Sequence, residues 1–129
     1  MSQPRVLLVD DEVSGAQVLG MILAEQGYVV TVVGDGRQAL ARLEEAAPDL
    51  LVTDFMMPFM NGADLVRAVR EQPAFATLPV LVISGAPEAA LRAYNLGYQA
   101  FLRKPFGFDA FVDAVRRLLP RKDQRPDAS

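Results

Sequence analysis

Five polar positions draw attention because each sits where an apolar run ends. Asp10 and Asp11 follow Val6-Leu-Leu-Val9, Asp54 follows Leu50-Leu-Val-Thr53, Ser84 follows Val80-Leu-Val-Ile83, and Lys104 follows Ala100-Phe-Leu-Arg103. If the three acids meet, they repel one another, and one takes up a proton unless a cation intervenes. An all-oxygen site that keeps waters suits Mg²⁺, a hard and reluctantly dehydrated ion, with Mn²⁺ as a second fit. A carboxylate beside such a cation can attack phosphorus, and Asp54 would then carry an acyl phosphate. Phosphoryl transfer asks mainly for alignment and for neutralisation of the equatorial oxygens. The cation, the Lys104 ammonium, the Ser84 hydroxyl and backbone N–H groups after Asp54 could supply both. Each residue also has a plainer reading: acids after strands form turns and caps, a strand-end lysine or serine is solvated, and Lys-Pro marks a turn. Specificity lies in the ordered set.

Placing that set together is the task of the elements around it. The runs Val6–Val9, Val29–Val33, Leu50–Val52, Val80–Ile83 and Ala100–Leu102 are rich in Val, Leu and Ile and mostly lack alternation, as strands buried on both faces of a parallel sheet do. Segments of helical period lie between them. Leu19, Ile22 and Leu23 share a face of the first, which Gly27 can end in the left-handed conformation. Ala39, Leu40 and Leu43 mark the second, with Pro48 beyond it. Leu65, Val66 and Val69 mark the third, between a cap at Asn61 and a stop at Pro73. The fourth is short and weak, around Glu88 to Leu96. Phe108, Phe111, Val112, Val115 and Leu119 make the stripe of the fifth, ended by Pro120. Five alternations of strand and helix give an α/β class with a parallel sheet. In such a sheet ligands bind outside the carboxyl ends of the strands, where strand order reverses. If the first and third strands flank that point, Asp10, Asp11 and Asp54 converge.

Composition narrows the chemistry. The chain has 129 residues, one domain by size, and its 51% apolar and 22% charged content is that of an ordinary globular protein. A formal net charge of −3 argues against a nucleic-acid footprint, and the apolar runs are too short to span a bilayer. Cysteine is absent, which removes disulfides, thiolate nucleophiles and zinc-thiolate sites. Histidine is absent too, so the commonest general base is missing and the chain cannot make its own phosphohistidine. Met1-Ser-Gln-Pro-Arg5 lacks the apolar core of a signal peptide, which makes the cytoplasm the simplest location. The expected organisation is one domain over residues 1–120, with residues 121–129 a polar tail or the start of a linker. The apolar side chains Phe55, Met56, Met57, Phe59 and Met60 are expected to pack the loop after Asp54.

Four segments together resemble the receiver domains of response regulators, across residues 5 to about 119. They are Val6-Leu-Leu-Val-Asp-Asp-Glu12, Asp49-Leu-Leu-Val-Thr-Asp-Phe-Met-Met-Pro-Phe-Met-Asn-Gly62, Val80-Leu-Val-Ile-Ser-Gly85 and Ala100-Phe-Leu-Arg-Lys-Pro-Phe106. The resemblance implies a flavodoxin-like, doubly wound five-stranded parallel sheet of order 2-1-3-4-5 with five helices. It implies Asp54 as phosphoacceptor, and Asp11, Asp54 and the backbone carbonyl of Met56 as metal ligands with Asp10 beside them. It implies Ser84 as the switch hydroxyl, Lys104 as the lysine on the phosphoryl group with a cis bond to Pro105, and Phe101 as the aromatic whose rotamer follows Ser84. The implied phosphoryl source is a histidine kinase or a histidine phosphotransfer protein. The implied output is a protein target, or a second copy, on the face of the fourth helix, fifth strand and fifth helix. No nucleic acid or membrane is implied as a partner. Phe59 departs from the family where glycine is common, and Phe101 stands where tyrosine is also common.

Two other classes bear comparison. A Mg²⁺-dependent phosphatase working through an aspartyl phosphate usually has a second acid two residues after the nucleophile, where this chain has Met56, and there is little material for a substrate cap. A pseudo-receiver acting only as an interaction module typically loses acidic or lysine positions that are present here. The expectation is therefore a signalling domain that catalyses only its own phosphorylation and dephosphorylation, either free-standing or part of a longer regulator or hybrid kinase.

Overall fold

Short runs of β-branched and leucine side chains, separated by amphipathic stretches, leave one economical arrangement: strands in the middle and helices on both faces. The structure is a computed structural model that describes residues 3–119. In chain order the elements are β1 (Arg5–Val9), α1 (Val13–Glu25), β2 (Val29–Val33), α2 (Gly36–Ala46), β3 (Leu50–Asp54), α3 (Gly62–Arg70), a 3₁₀ turn (Pro73–Phe75), β4 (Val80–Ser84), α4 (Glu88–Arg92), β5 (Ala100–Arg103) and α5 (Phe108–Leu118). The five strands form one sheet of order β2-β1-β3-β4-β5, every pair parallel, as the flavodoxin-like reading requires. Pro120 and the tail or linker expected at 121–129 lie outside the described residues.

Side-chain alternation along each strand feeds two cores. Leu7 and Val9 of β1 face one side with Leu51, Val80 and Val82, and are covered by Leu43 of α2, Leu65, Val66 and Val69 of α3 and Leu91 of α4. Val6 and Leu8 face the other with Leu50, Val52, Leu81 and Ile83, and are covered by Leu19 and Leu23 of α1 and Phe111 and Val115 of α5. The central strands β3 and β4 are buried throughout, whereas β2 and β5 at the edges are mostly half-buried. Phe108 leaves the expected stripe: at the first position of α5 it is 55% exposed.

Local chemistry sets the helix ends. Asp35 caps α2 by accepting from Gln38 N–H at 2.8 Å, and Asn61 caps α3 by accepting from Asp64 N–H at 2.9 Å. Gly27 takes the left-handed turn after α1 at φ 99°. Ala47 takes the same kind of turn after α2 at φ 43°, ψ 57°, with its N–H on Leu43 O, and here a Cβ is strained. Ala47→Gly should therefore stabilise the fold by about 0.5–1 kcal/mol after allowing for the freer unfolded chain. A urea midpoint that falls instead would mean that the Ala47 methyl group contributes packing that outweighs its strain.

α4 is shorter than the period around Glu88 to Leu96 suggests. It ends at Arg92, buries only Leu91, and gives way to a connection in which Asn95 has φ 51°.

Candidate functional site

The strand order reverses between β1 and β3, and the carboxyl ends of these strands carry the acids. Asp10, Asp11 and Asp54 each place a carboxylate oxygen within 4.8 Å of the others. Asp10 and Asp54 are buried, and Asp11 is exposed toward solvent. Asp10 is held from two sides: Oδ1 accepts from Glu12 N–H at 3.0 Å, and Oδ2 accepts from the Lys104 ammonium at 3.2 Å. Asp54 is held the same way, Oδ1 accepting from Met56 N–H at 3.3 Å and Oδ2 from Lys104 at 3.1 Å. Lys104 thus bridges the two buried acids from the end of β5, across a cis bond to Pro105.

Asp54 lies one residue beyond Thr53, whose hydroxyl donates to the Asp54 carbonyl at 2.9 Å. The first residue of α3 presses on that same carbonyl: a Cβ on Gly62 would fall 2.8 Å from Asp54 O and 2.9 Å from Phe55 Cα. Gly62 N–H also donates to Phe55 O at 2.7 Å. Only a residue without a side chain permits this approach. Ser84 ends β4 fully buried, its Oγ accepting from Ala86 N–H at 3.0 Å. Phe101 is half-buried against the core that contains Leu91. The loop after Asp54 divides. Phe55, Met57 and Met60 pack as expected, but Met56 and Phe59 do not, at 61% and 87% exposed. Phe59 has φ 68° in the position where glycine was the expected residue, and the Arg37 guanidinium lies 5.6 Å from its ring centre.

The electrostatics follow from this packing. Burial, and then the Asp10 charge, push the Asp54 carboxyl from 3.8 up to about 6, while Lys104 and the Met56 N–H pull it partly back. Burial works to lower the Lys104 ammonium, but Asp54 and Asp10 outweigh it and leave Lys104 above its ordinary value. The donor set, three convergent carboxylates with one open to solvent, fits a hard divalent cation that retains waters.

A stability prediction arises here. A carboxyl raised in the folded state binds its proton before the unfolded chain does, so its ionised form costs stability above pH 6, and that cost fades as pH falls toward 4. Asp54→Asn should stabilise the fold by about 1–3 kcal/mol at pH 7.5, the upper end corresponding to the whole shift, and by much less at pH 4.5. Equal urea midpoints for the two proteins at pH 7.5 would contradict the raised carboxyl.

Sequence reasoning named every acid, the lysine and the serine, and the structure brings Asp10, Asp11, Asp54 and Lys104 together with Ser84 at the end of the next strand. It missed Thr53 and Gly62 as supports of Asp54. The available signals were a lone hydroxyl in an aliphatic strand and a glycine directly after a helix cap.

Comparison with known proteins agrees with this geometry. The profile of the response regulator receiver domain matches residues 6–116. The chain is 36% identical over 124 residues to the DNA-binding response regulator MtrA of Mycolicibacterium paratuberculosis, covering 95% of this chain and 54% of that one. It is 40% identical over 122 residues to the sensor histidine kinase TmoS of Ectopseudomonas mendocina, covering 93% of this chain and 12% of that one. Among solved structures, the chemotaxis response regulator CheY4 of Vibrio cholerae superimposes with a TM-score of 0.84 at 33% identity, covering 92% of this chain and 100% of that one. The chain therefore spans about half the length of its MtrA relative, 54%.

Proposed function

This chain belongs to the response regulator receiver domain family, and from that premise we propose that it is a phosphorylation-dependent switch of a two-component system that takes its phosphoryl group on Asp54. The observation that carries the reading is the convergence of Asp10, Asp11, Asp54 and Lys104 at the switch point of the sheet. The site is built for one step. An Asp54 carboxylate oxygen forms a bond to phosphorus while the bond from phosphorus to the donor's imidazole nitrogen breaks, and the electron pair leaves with the imidazole. Lys104 already spans Asp10 and Asp54 and is placed to meet the charge of the incoming group. Asp11, Asp54 and the Met56 carbonyl would hold Mg²⁺ or Mn²⁺ with Asp10 beside it, and the cation's part is to offset negative charge on the phosphoryl oxygens.

The donor is a histidine kinase or histidine phosphotransfer protein, since the chain has no histidine of its own. Output is read on the face of α4, β5 and α5 by a protein target or a second copy, through inward movement of Ser84 and Phe101. The location is cytoplasmic. Among the described residues no helix is long and apolar enough to cross a membrane. Relatives of both organisations, a chain matched over its full length and regulators twice as long, leave room for a free-standing domain or a module of a longer protein. The test is mass spectrometry after incubation with Mg²⁺ and acetyl phosphate: one acid-stable, hydroxylamine-labile phosphoryl group per chain is expected, and none would end the reading.

The lifetime of that group is a separate expectation. Met56 and Ala86 lie two residues after Asp54 and Ser84, and neither side chain can orient water or accept its proton. Met56→Asn with Ala86→Glu should speed phosphoryl loss by roughly 100-fold, the low end of what a positioned acid or base contributes. Identical decay curves in excess Mg²⁺ would place control of lifetime elsewhere in the loop.

A further inference from the structure

The connection between α4 and β5 is held by residues that the phosphoryl chemistry does not use. Arg67 donates from its guanidinium to Tyr94 O at 3.1 Å and lies 5.9 Å from the centre of the Tyr94 ring. Arg70, one turn further along α3, donates to Gly97 O in the same connection and to Leu78 O at 2.6 Å and Ala76 O at 3.2 Å in the segment before β4. Two guanidinium groups from one helix thus hold the backbone at both ends of residues 94–97. Beyond these contacts, Tyr94 N–H donates to Leu91 O at 3.0 Å, Asn95 N–H donates to Arg92 O at 3.1 Å, and Leu96 packs against the core. α4 itself has five residues, only Leu91 of them buried, and Asn95 adopts a left-handed conformation.

The other end of α3 touches the phosphoacceptor. Gly62 is packed against the Asp54 carbonyl and bonded to Phe55 O, and the Phe55 ring meets the Tyr94 ring edge-on with centroids 5.2 Å apart. α3 is a helix of nine residues, roughly 13 Å long, and so reaches from the Asp54 site to the α4–β5 connection. From these contacts we infer that α3 is a second coupling element, with Arg67 and Arg70 linking the helix that abuts Asp54 to the α4–β5 connection and opposing the change that begins at Ser84.

The sign follows from the geometry, and the inference rests on the receiver reading. Ser84 is tied to the start of α4 through Ala86 N–H and Pro87, so a Ser84 drawn toward a phosphoryl group pulls on a helix too short to bend. Movement at its far end strains the arginine contacts, which therefore favour the unphosphorylated arrangement. Removing them should ease the change, and by linkage should tighten binding of whatever drives it.

The experiment titrates beryllium fluoride in excess Mg²⁺ into the full chain, followed by amide chemical shifts. Arg67→Gln and Arg70→Lys should each raise apparent affinity about fivefold, at the low end of ordinary coupling, and should enlarge the shifts at Tyr94 and Gly97. Mg²⁺ affinity without beryllium fluoride should stay the same, and Arg42→Gln on α2, whose guanidinium pairs with Glu45 at 3.5 Å, should change nothing. A wild type that fails to bind the mimic at all would count against the receiver reading itself. A wild type that binds, beside arginine variants of unchanged or weakened affinity, would overturn the coupling role alone. Arg67 is exposed, so its variant keeps the test available even if Arg70→Lys folds poorly.

Discussion

Asp54→Asn should abolish phosphoryl incorporation completely while leaving the fold intact. The amide is isosteric with the carboxyl but a poor nucleophile, and the Ser84 hydroxyl is not placed to substitute. Ser84 is fully buried with its Oγ occupied by Ala86 N–H. Intact mass after treatment with Mg²⁺ and acetyl phosphate should show one added phosphoryl group on wild type and none on the variant. A phosphoryl group mapped to Ser84 or Asp10 in the wild type would reassign the acceptor. Because the variant should also be the more stable protein at neutral pH, lost reactivity cannot be attributed to a collapsed site.

Removing Asp11 should have the next largest effect, and through a different property. Of the three acids it is the exposed one, so its carboxylate can approach a hydrated cation without first breaking a contact to Lys104. Asp11→Ala should lower divalent-cation affinity by more than about 100-fold, since loss of a mere outer-sphere partner costs roughly 10–100-fold. Phosphorylation at moderate Mg²⁺ should fall with it. The same titration carries a pH signature. Protons compete with cations for a carboxyl pushed up to about 6, so wild-type affinity should weaken by nearly tenfold per unit as pH drops below that value. Unchanged affinity in Asp11→Ala would remove this residue from the ligand set, and a flat pH profile would contradict the raised Asp54.

These residues were legible in the sequence for a physical reason: a polar group at the end of a buried apolar run is conspicuous, and five occurred in sheet order. The strands were equally plain, although β3 and β4 each extend to include the polar residue itself, so that Asp54 and Ser84 belong to the ladder. What lacked a local signature was missed. Arg67 and Arg70 reach carbonyl groups 27 residues away, and such contacts leave no period or spacing to detect. The exposure of Met56 and Phe59 was misjudged because hydrophobicity was read as burial, while the turn at Phe59 directs its ring outward beside Arg37. α4 ends at Arg92, short of the expected stretch around Glu88 to Leu96, and the left-handed Asn95 lies in the part that is not helical.

The contrast between the wholly buried β3 and the thinly anchored α4 implies a gradient of amide hydrogen exchange. Amides in the middle of β3 and β4 should exchange only through global unfolding, those of β2 and β5 sooner, and those of α4 through small local openings. The proposed nucleophile would then stand on the slowest-exchanging part of the molecule, and α4, part of the proposed output face, on a faster one. Repeated rearrangement of that surface would leave the cooperative unit beneath Asp54 undisturbed.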